Sequence, residues 1–178
     1  LFYPQVVEPL LVERVSKLLK VPLWRVWADE TSRKALSDLR RRCLFMGLSD
    51  GARLDRFRRA NELRISNEQV VLQTQVDREK WEDMVKELRK DLSDPEARFS
   101  MVFLIDDFIA SGTSLLSFRD GVWKGKLPRF GVVMSEPIKM GFLDNDWRLC
   151  VHHYLANFGV LATIGKKAAD WQGGRFEG

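Results

Sequence analysis

A chain of 178 residues, 45% hydrophobic and 30% charged, is long enough for one domain with a sizeable core and too apolar for disorder throughout. No stretch approaches the roughly 18 consecutive apolar residues of a membrane-spanning helix. The formal charge of +4 permits an anionic partner and does not demand one.

Two cysteines, Cys43 and Cys150, are too few for a disulfide framework, and both lie in apolar runs. Buried thiols in a reducing cytoplasm are expected. The N-terminus has no basic region followed by an apolar run, so no signal peptide is expected. A start at Leu1 rather than Met suggests a domain taken from a longer chain.

Segment 5–20 places Val6, Leu10, Leu11, Val15, Leu18 and Leu19 on one helical stripe, and Pro22 stops it. Segment 31–42 predicts a second helix, carrying Leu36 and Leu39 and entered through Asp29-Glu30. Together residues 1–42 read as a helical extension of an α/β core over 43–165, with a polar tail at 166–178. The core opens with Cys43-Leu44-Phe45-Met46, a short apolar run bounded by glycines, which predicts a buried strand entering a tight loop. Asp77 is placed as the N-cap of a helix through residue 92 whose apolar face is Trp81, Met84, Val85, Leu88 and Leu92. After a turn at 93–98, Met101-Val102-Phe103-Leu104-Ile105 predicts a second buried strand, ending at Asp106-Asp107 and followed by a loop to Ser114. Further on, the pattern predicts a helix over 114–123, a strand over 130–134, a loop over 135–147, a strand over 149–155 and a helix near 158–170. Continuous apolar strands alternating with helices predict a mainly parallel sheet flanked by helices. The whole chain is read as a single α/β domain.

The most informative stretch runs from Val102 to Ser114. A buried strand delivers Asp106 and Asp107 to its C-terminal end, where ligands bind in open α/β sheets. Two adjacent acids there are costly unless something uses them. Ala110, Ser111, Gly112, Thr113 and Ser114 then offer hydroxyls and backbone N–H groups at a predicted helix N-terminus, which forms a phosphate cradle. Acids that accept from a vicinal diol, beside a cradle for phosphate, describe a ribose 5-phosphate. The first strand's exit loop, Gly47, Leu48, Ser49, Asp50, Gly51 and Arg53, offers further N–H groups and a cationic fork.

These residues resemble the phosphoribosyl pyrophosphate (PRPP) motif of type I phosphoribosyltransferases, over about 13 residues. Phe103 and Phe108 stand where that family has smaller aliphatic residues. The resemblance implies a phosphoribosyltransferase-like fold, with the 5-phosphate on 110–114 and the ribose hydroxyls on Asp106 and Asp107. It further implies pyrophosphate on 47–51 and Arg53, with Mg2+ bridging the ligand near the two acids. Leu48-Ser49-Asp50-Gly51-Ala52-Arg53-Leu54-Asp55, Phe57-Arg58-Arg59-Ala60-Asn61 and Ser66-Asn67-Glu68-Gln69-Val70 are similar to a divergent group of such proteins. That group occurs in bacterial conflict and anti-phage systems, including retron-associated ones, and it implies a defence role with a protein partner. No base-recognising hood and no mobile catalytic loop is recognisable, the latter between 62 and 80. Three classes therefore stand: an enzyme transferring or cleaving at the anomeric carbon, a non-catalytic PRPP or nucleotide sensor, and a nucleic-acid-binding module using Arg53, Arg56, Arg58 and Arg59.

Other signals are weaker. Gly121 to Leu127 has three residues between its glycines, not the four of a nucleotide P-loop, and ends in Leu127 where a hydroxyl is needed. His152 and His153 are strand neighbours on opposite faces, one expected in the core and one exposed, and cannot chelate one metal together. No zinc or dinucleotide signature is present.

Overall fold

The two continuous apolar runs form the middle of a parallel sheet in the computed structural model, which describes residues 2–171 and the backbone of 176–177. β1 (Cys43–Gly47) is buried along its whole length and pairs in register with β3 (Phe99–Ile109), Phe45 opposite Phe103. β2 (Val70–Val71) flanks β1 on one side. β6 (Leu143–Ala156) flanks β3 on the other, with Asp106 opposite His153. The four strands run parallel in the order β2-β1-β3-β6, and the two-residue β7 (Phe176–Glu177) lies beside β6.

Alternate residues of each strand serve opposite layers. Leu44, Met46, Val102 and Leu104 pack beneath α5 (Arg78–Leu92), α6 (Lys126–Lys139) and α7 (Val160–Asp170). Cys43, Phe45, Met101, Phe103 and Ile105 pack beneath α1 (Glu8–Leu19), α3 (Glu30–Arg41) and α4 (Leu54–Ala60). The short α2 (Arg25–Ala28) joins α1 to α3 and buries Val26. Phe45 and Phe103 stack with centroids 5.1 Å apart, and each such buried ring contributes about 1.5–3 kcal/mol. The N-terminal helices are therefore one of the sheet's two covers and share its core. Both cysteines are buried, and burial raises the Cys43 thiol far above its ordinary range.

Capping determines the helix starts. Asp77 accepts from the Lys80 amide at 2.8 Å, and Asp29 accepts from the Ser32 amide at 3.0 Å, each cap contributing about 1 kcal/mol. α1 stops at Leu19 because Lys20 turns left-handed at φ 54°, two residues before Pro22.

Three expectations are corrected. The segment 114–123 is not a helix. It holds the hairpin β4 (Ser117–Arg119) and β5 (Val122–Lys124). Asp120 and Gly121 both have positive φ, 55° and 75°, as a two-residue primed turn requires. The segment 130–134 is not a strand but the middle of α6. The buried residues Leu127, Phe130, Met134 and Pro137 follow a helical period, while Val132 faces solvent. The loop placed at 135–147 shrinks to residues 140–142, because α6 runs to Lys139 and β6 starts at Leu143. Of the tail, 172–175 and 178 lie outside the described residues.

Candidate functional site

From β1 the chain passes to β2 on one side, and from β3 to β6 on the other. The gap between the C-terminal ends of β1 and β3 is the sheet's topological switch point, where open α/β sheets form their ligand crevice. The first strand's exit loop meets the end of β3 there. Leu48 N–H donates to Ile105 O at 2.8 Å, continuing the ladder into the first loop. Gly47 is required because a Cβ there would lie 2.3 Å from Leu72 O. Ser49 Oγ donates to Asp106 Oδ1. Gly51 sits under Asp107, whose Oδ2 would be 2.3 Å from a Cβ on that glycine.

The twin aspartates diverge. β3 continues to Ile109, so both acids lie inside the strand and not in the loop after it. Neighbouring strand residues point to opposite faces. Asp106 turns toward α6 and is only 2% exposed. Its Oδ2 accepts from Lys126 Nζ at 2.5 Å, and its Oδ1 also accepts from the Asp107 amide at 3.1 Å. Burial opposes its ionisation, but hydrogen bonds from Lys126 and Ser49 and the lysine charge outweigh burial and hold the carboxyl below its ordinary value. Asp107 is exposed and accepts from the amide of the next residue, Phe108, at 2.8 Å. The expectation that both acids open to the same side is thus corrected, and of the two only Asp107 is exposed.

His153 adds a third side chain beside Asp106, with Nε2 3.9 Å from Oδ2. Burial lowers its pKa, only partly offset by the nearby Asp106 charge. His152 points to the opposite face, as expected, and stacks on Phe2 at 4.0 Å. The expectation of one core and one exposed histidine is corrected, since both are half-buried.

The hydroxyl loop 110–114 also differs from expectation, since no helix follows it directly. The hairpin is inserted first, and α6 returns to the loop's end. Lys126 N–H donates to Ser114 O at 2.9 Å, and Leu127 N–H to Leu115 O at 3.1 Å. The helix N-terminus beside the loop is therefore that of α6. Within the loop, the Ser111 and Thr113 hydroxyls lie 2.9 Å apart. Gly112 is buried at φ 73° and accepts from the Leu115 and Leu116 amides.

A cleft of about 300 Å3 opens beside the Asp106–Lys126 pair, lined by Leu48, Gln73, Gln75, Lys126, Arg129 and Phe130 among others. Lys126 and Arg129 give it a cationic wall. Sequence reasoning missed Lys126, His153 and Arg129. Lys126 lay within the segment set aside as a failed P-loop, and its position after a hairpin carried no local signal. Arg53, Arg56, Arg58 and Arg59 are exposed, with Arg53 left-handed at φ 48° before α4. Arg59 pairs with Asp55 at 2.7 Å, and Asn61 is a buried helix terminus donating to Phe57 O. Among the described residues, no group of three or more His, Cys, Asp or Glu gathers to hold a metal. Among the described residues, no helix is long and apolar enough to cross a membrane either.

The chain matches no family model, no curated protein and no solved structure.

Proposed function

We propose that this protein binds a phosphorylated ribose, PRPP or a nucleotide, in the crevice between β1 and β3. One observation carries the reading: the first strand's exit loop meets the aspartate end of β3 at the switch point, Ser49 on Asp106 and Gly51 under Asp107. In this reading Asp107 accepts from the ribose diol, and the 110–114 loop takes the 5-phosphate with its hydroxyls and amides. Lys126 and Arg129, with Arg53 from the neighbouring loop, offset pyrophosphate charge. Mg2+ fits as a ligand-bridged ion, because magnesium is held by about one or two carboxylates plus substrate phosphates. Asp107 would be its carboxylate, and the ion would neutralise phosphate charge.

The pairing of Asp106 with Lys126 favours a sensor over a transferase. A carboxylate that would stabilise a ribosyl cation is already neutralised by an ammonium group. The anti-phage role implied by the resemblance forms part of the same proposal.

Calorimetry with PRPP and Mg2+ tests the reading. Saturable heat is expected for the native protein, with affinity falling at least about tenfold in Asp107→Asn, the loss of a charged hydrogen-bond acceptor. Absence of heat with PRPP and with nucleotides overturns it. Pyrophosphate release in the presence of bases separates transfer from sensing. Phage plating with the Asp107→Asn variant tests the defence role. Nucleic-acid binding with a steep salt dependence that flattens on removal of Arg53, Arg56, Arg58 and Arg59 would favour the third class instead.

A further inference from the structure

At the opposite end of the sheet, a groove of about 620 Å3 separates the N-terminal helical layer from the strand starts, within the range of roughly 300–1,000 Å3 typical of small-molecule sites. One wall is apolar, formed by Leu18 of α1 and Leu39 of α3, with Leu18 72% exposed. The other is charged with both signs: Arg14 and Lys17 on α1 and Arg42 after α3 line it with Asp144, Asp146 and Arg148 of β6, and Lys17 and Arg42 are engaged by Glu13 and Asp94 at 2.6 and 2.8 Å. Arg14 and Asp146 are 3.7 Å apart, beyond hydrogen-bond distance, so each keeps capacity for another partner. Burial raises the Asp144 carboxyl, a penalty that Arg42 and other cations offset only in part. Ser100, at the start of β3, is only 4% exposed, and its hydroxyl is buried without a hydrogen-bond partner among the described residues. Native structures rarely leave such a group unpaired.

We infer that this groove is a second binding site, for a small zwitterion carrying an apolar substituent, the chemistry of free amino acids and short peptides. A plain anion would meet Asp144 and Asp146, and a plain cation would meet Arg14 and Arg148. A ligand whose carboxylate meets Arg14 and whose ammonium meets Asp144 complements both signs, and its apolar part covers Leu18 and Leu39. The ligand would bridge α1 and β6, far along the strands from the switch-point crevice. The inference is independent of what the crevice binds.

The test is calorimetry and backbone amide NMR on the full chain. The probes are leucine, phenylalanine, leucyl-leucine and two truncated analogues of leucine, 4-methylpentanoate without the ammonium and isopentylamine without the carboxylate. Zwitterions are expected to bind and to shift amides of α1 and early β6. Each truncated analogue should bind at least about tenfold more weakly, the worth of one charged hydrogen bond. Arg14→Gln should weaken leucine and spare isopentylamine, and Asp144→Asn should weaken leucine and spare 4-methylpentanoate. Ser100→Ala separates a ligand role from a structural one: it removes an orphan hydroxyl, so thermal stability should hold or rise while affinity falls. Binding of leucine alone or of leucyl-leucine alone identifies the source and supports the site in either case. No binding by any zwitterion at millimolar concentration overturns the inference. So does equal binding of zwitterions and truncated analogues, or shifts confined to residues 106–114.

Discussion

Lys126 Nζ lies 2.5 Å from Asp106 Oδ2, tying the first turn of α6 to the C-terminal end of β3. Lys126 keeps 31% side-chain exposure, whereas Asp106 keeps 3%. Asp106→Asn should cost about 2–3 kcal/mol, below the range for a fully buried pair because the stranded ammonium can partly hydrate. The double variant Asp106→Asn/Lys126→Met should recover more than half of that loss. Urea unfolding of the native protein, of Asp106→Asn, of Lys126→Met and of the double variant measures it, and strictly additive losses would mean the pair is not coupled.

The same carboxylate predicts an acid response. Its folded pKa lies below the ordinary value of 3.8, so the folded chain holds fewer protons than the unfolded chain as pH falls below about 4. The stabilisation is present above that pH and is lost as pH falls through the depressed folded value. Asp106→Asn should lack this component of acid unfolding.

His152 contributes in a higher window. Burial, aided by His153, lowers its pKa from 6.5 to about 4. Between those values the unfolded chain takes up a proton that the folded chain refuses, so stability is full above about pH 6.5 and declines toward pH 4. His152→Phe keeps a ring against Phe2 and should flatten part of that decline. The rest belongs to His153, whose pKa is also lowered. A pH series of thermal midpoints checks it, and an unchanged slope in His152→Phe would be evidence against it.

Gly51→Ala and Gly112→Ala should separate binding from folding. The first pushes a methyl into the exposed Asp107 carboxylate, which can swing away. Stability should change by less than about 1 kcal/mol, while affinity for PRPP falls at least tenfold by displacement of the proposed diol acceptor. The second forces alanine to φ 73° and places its Cβ 2.4 Å from Ile164 Cδ1 on α7. It should cost about 2–4 kcal/mol from left-handed strain and overpacking together. Equilibrium unfolding and calorimetry distinguish the two.

Gln69 is 1% exposed and joins three elements. Its Nε2 donates to Arg40 O at 2.7 Å and to Cys43 O at 2.8 Å, and its Oε1 accepts from the Ser66 amide at 3.0 Å. Gln69→Leu should destabilise by about 2–4 kcal/mol, since three backbone groups lose their partner in a buried setting. Gln69→Glu should not rescue it, because a carboxylate cannot donate to either carbonyl. Urea unfolding of both variants decides.

The strands at the sheet's centre and the 78–92 helix with its Asp77 cap are legible in the sequence. Each is set by neighbours a few residues away: a continuous apolar run for a strand buried on both faces, a 3.6-residue stripe for a helix. The tertiary structure alone decided how the aspartates are used. Asp106 takes its charge partner from α6 and faces a histidine on β6, both remote in the chain, and no local pattern records which cation a buried acid will meet. The 114–123 segment departs from its predicted helix for the same kind of reason. Its Asp120-Gly121 turn is a local signal, but the return of α6 to Ser114 is a packing choice made by Leu127, Phe130 and Met134 against the sheet. A fold's faces follow from local periodicity, whereas the partners of its charges follow from which elements the core brings side by side.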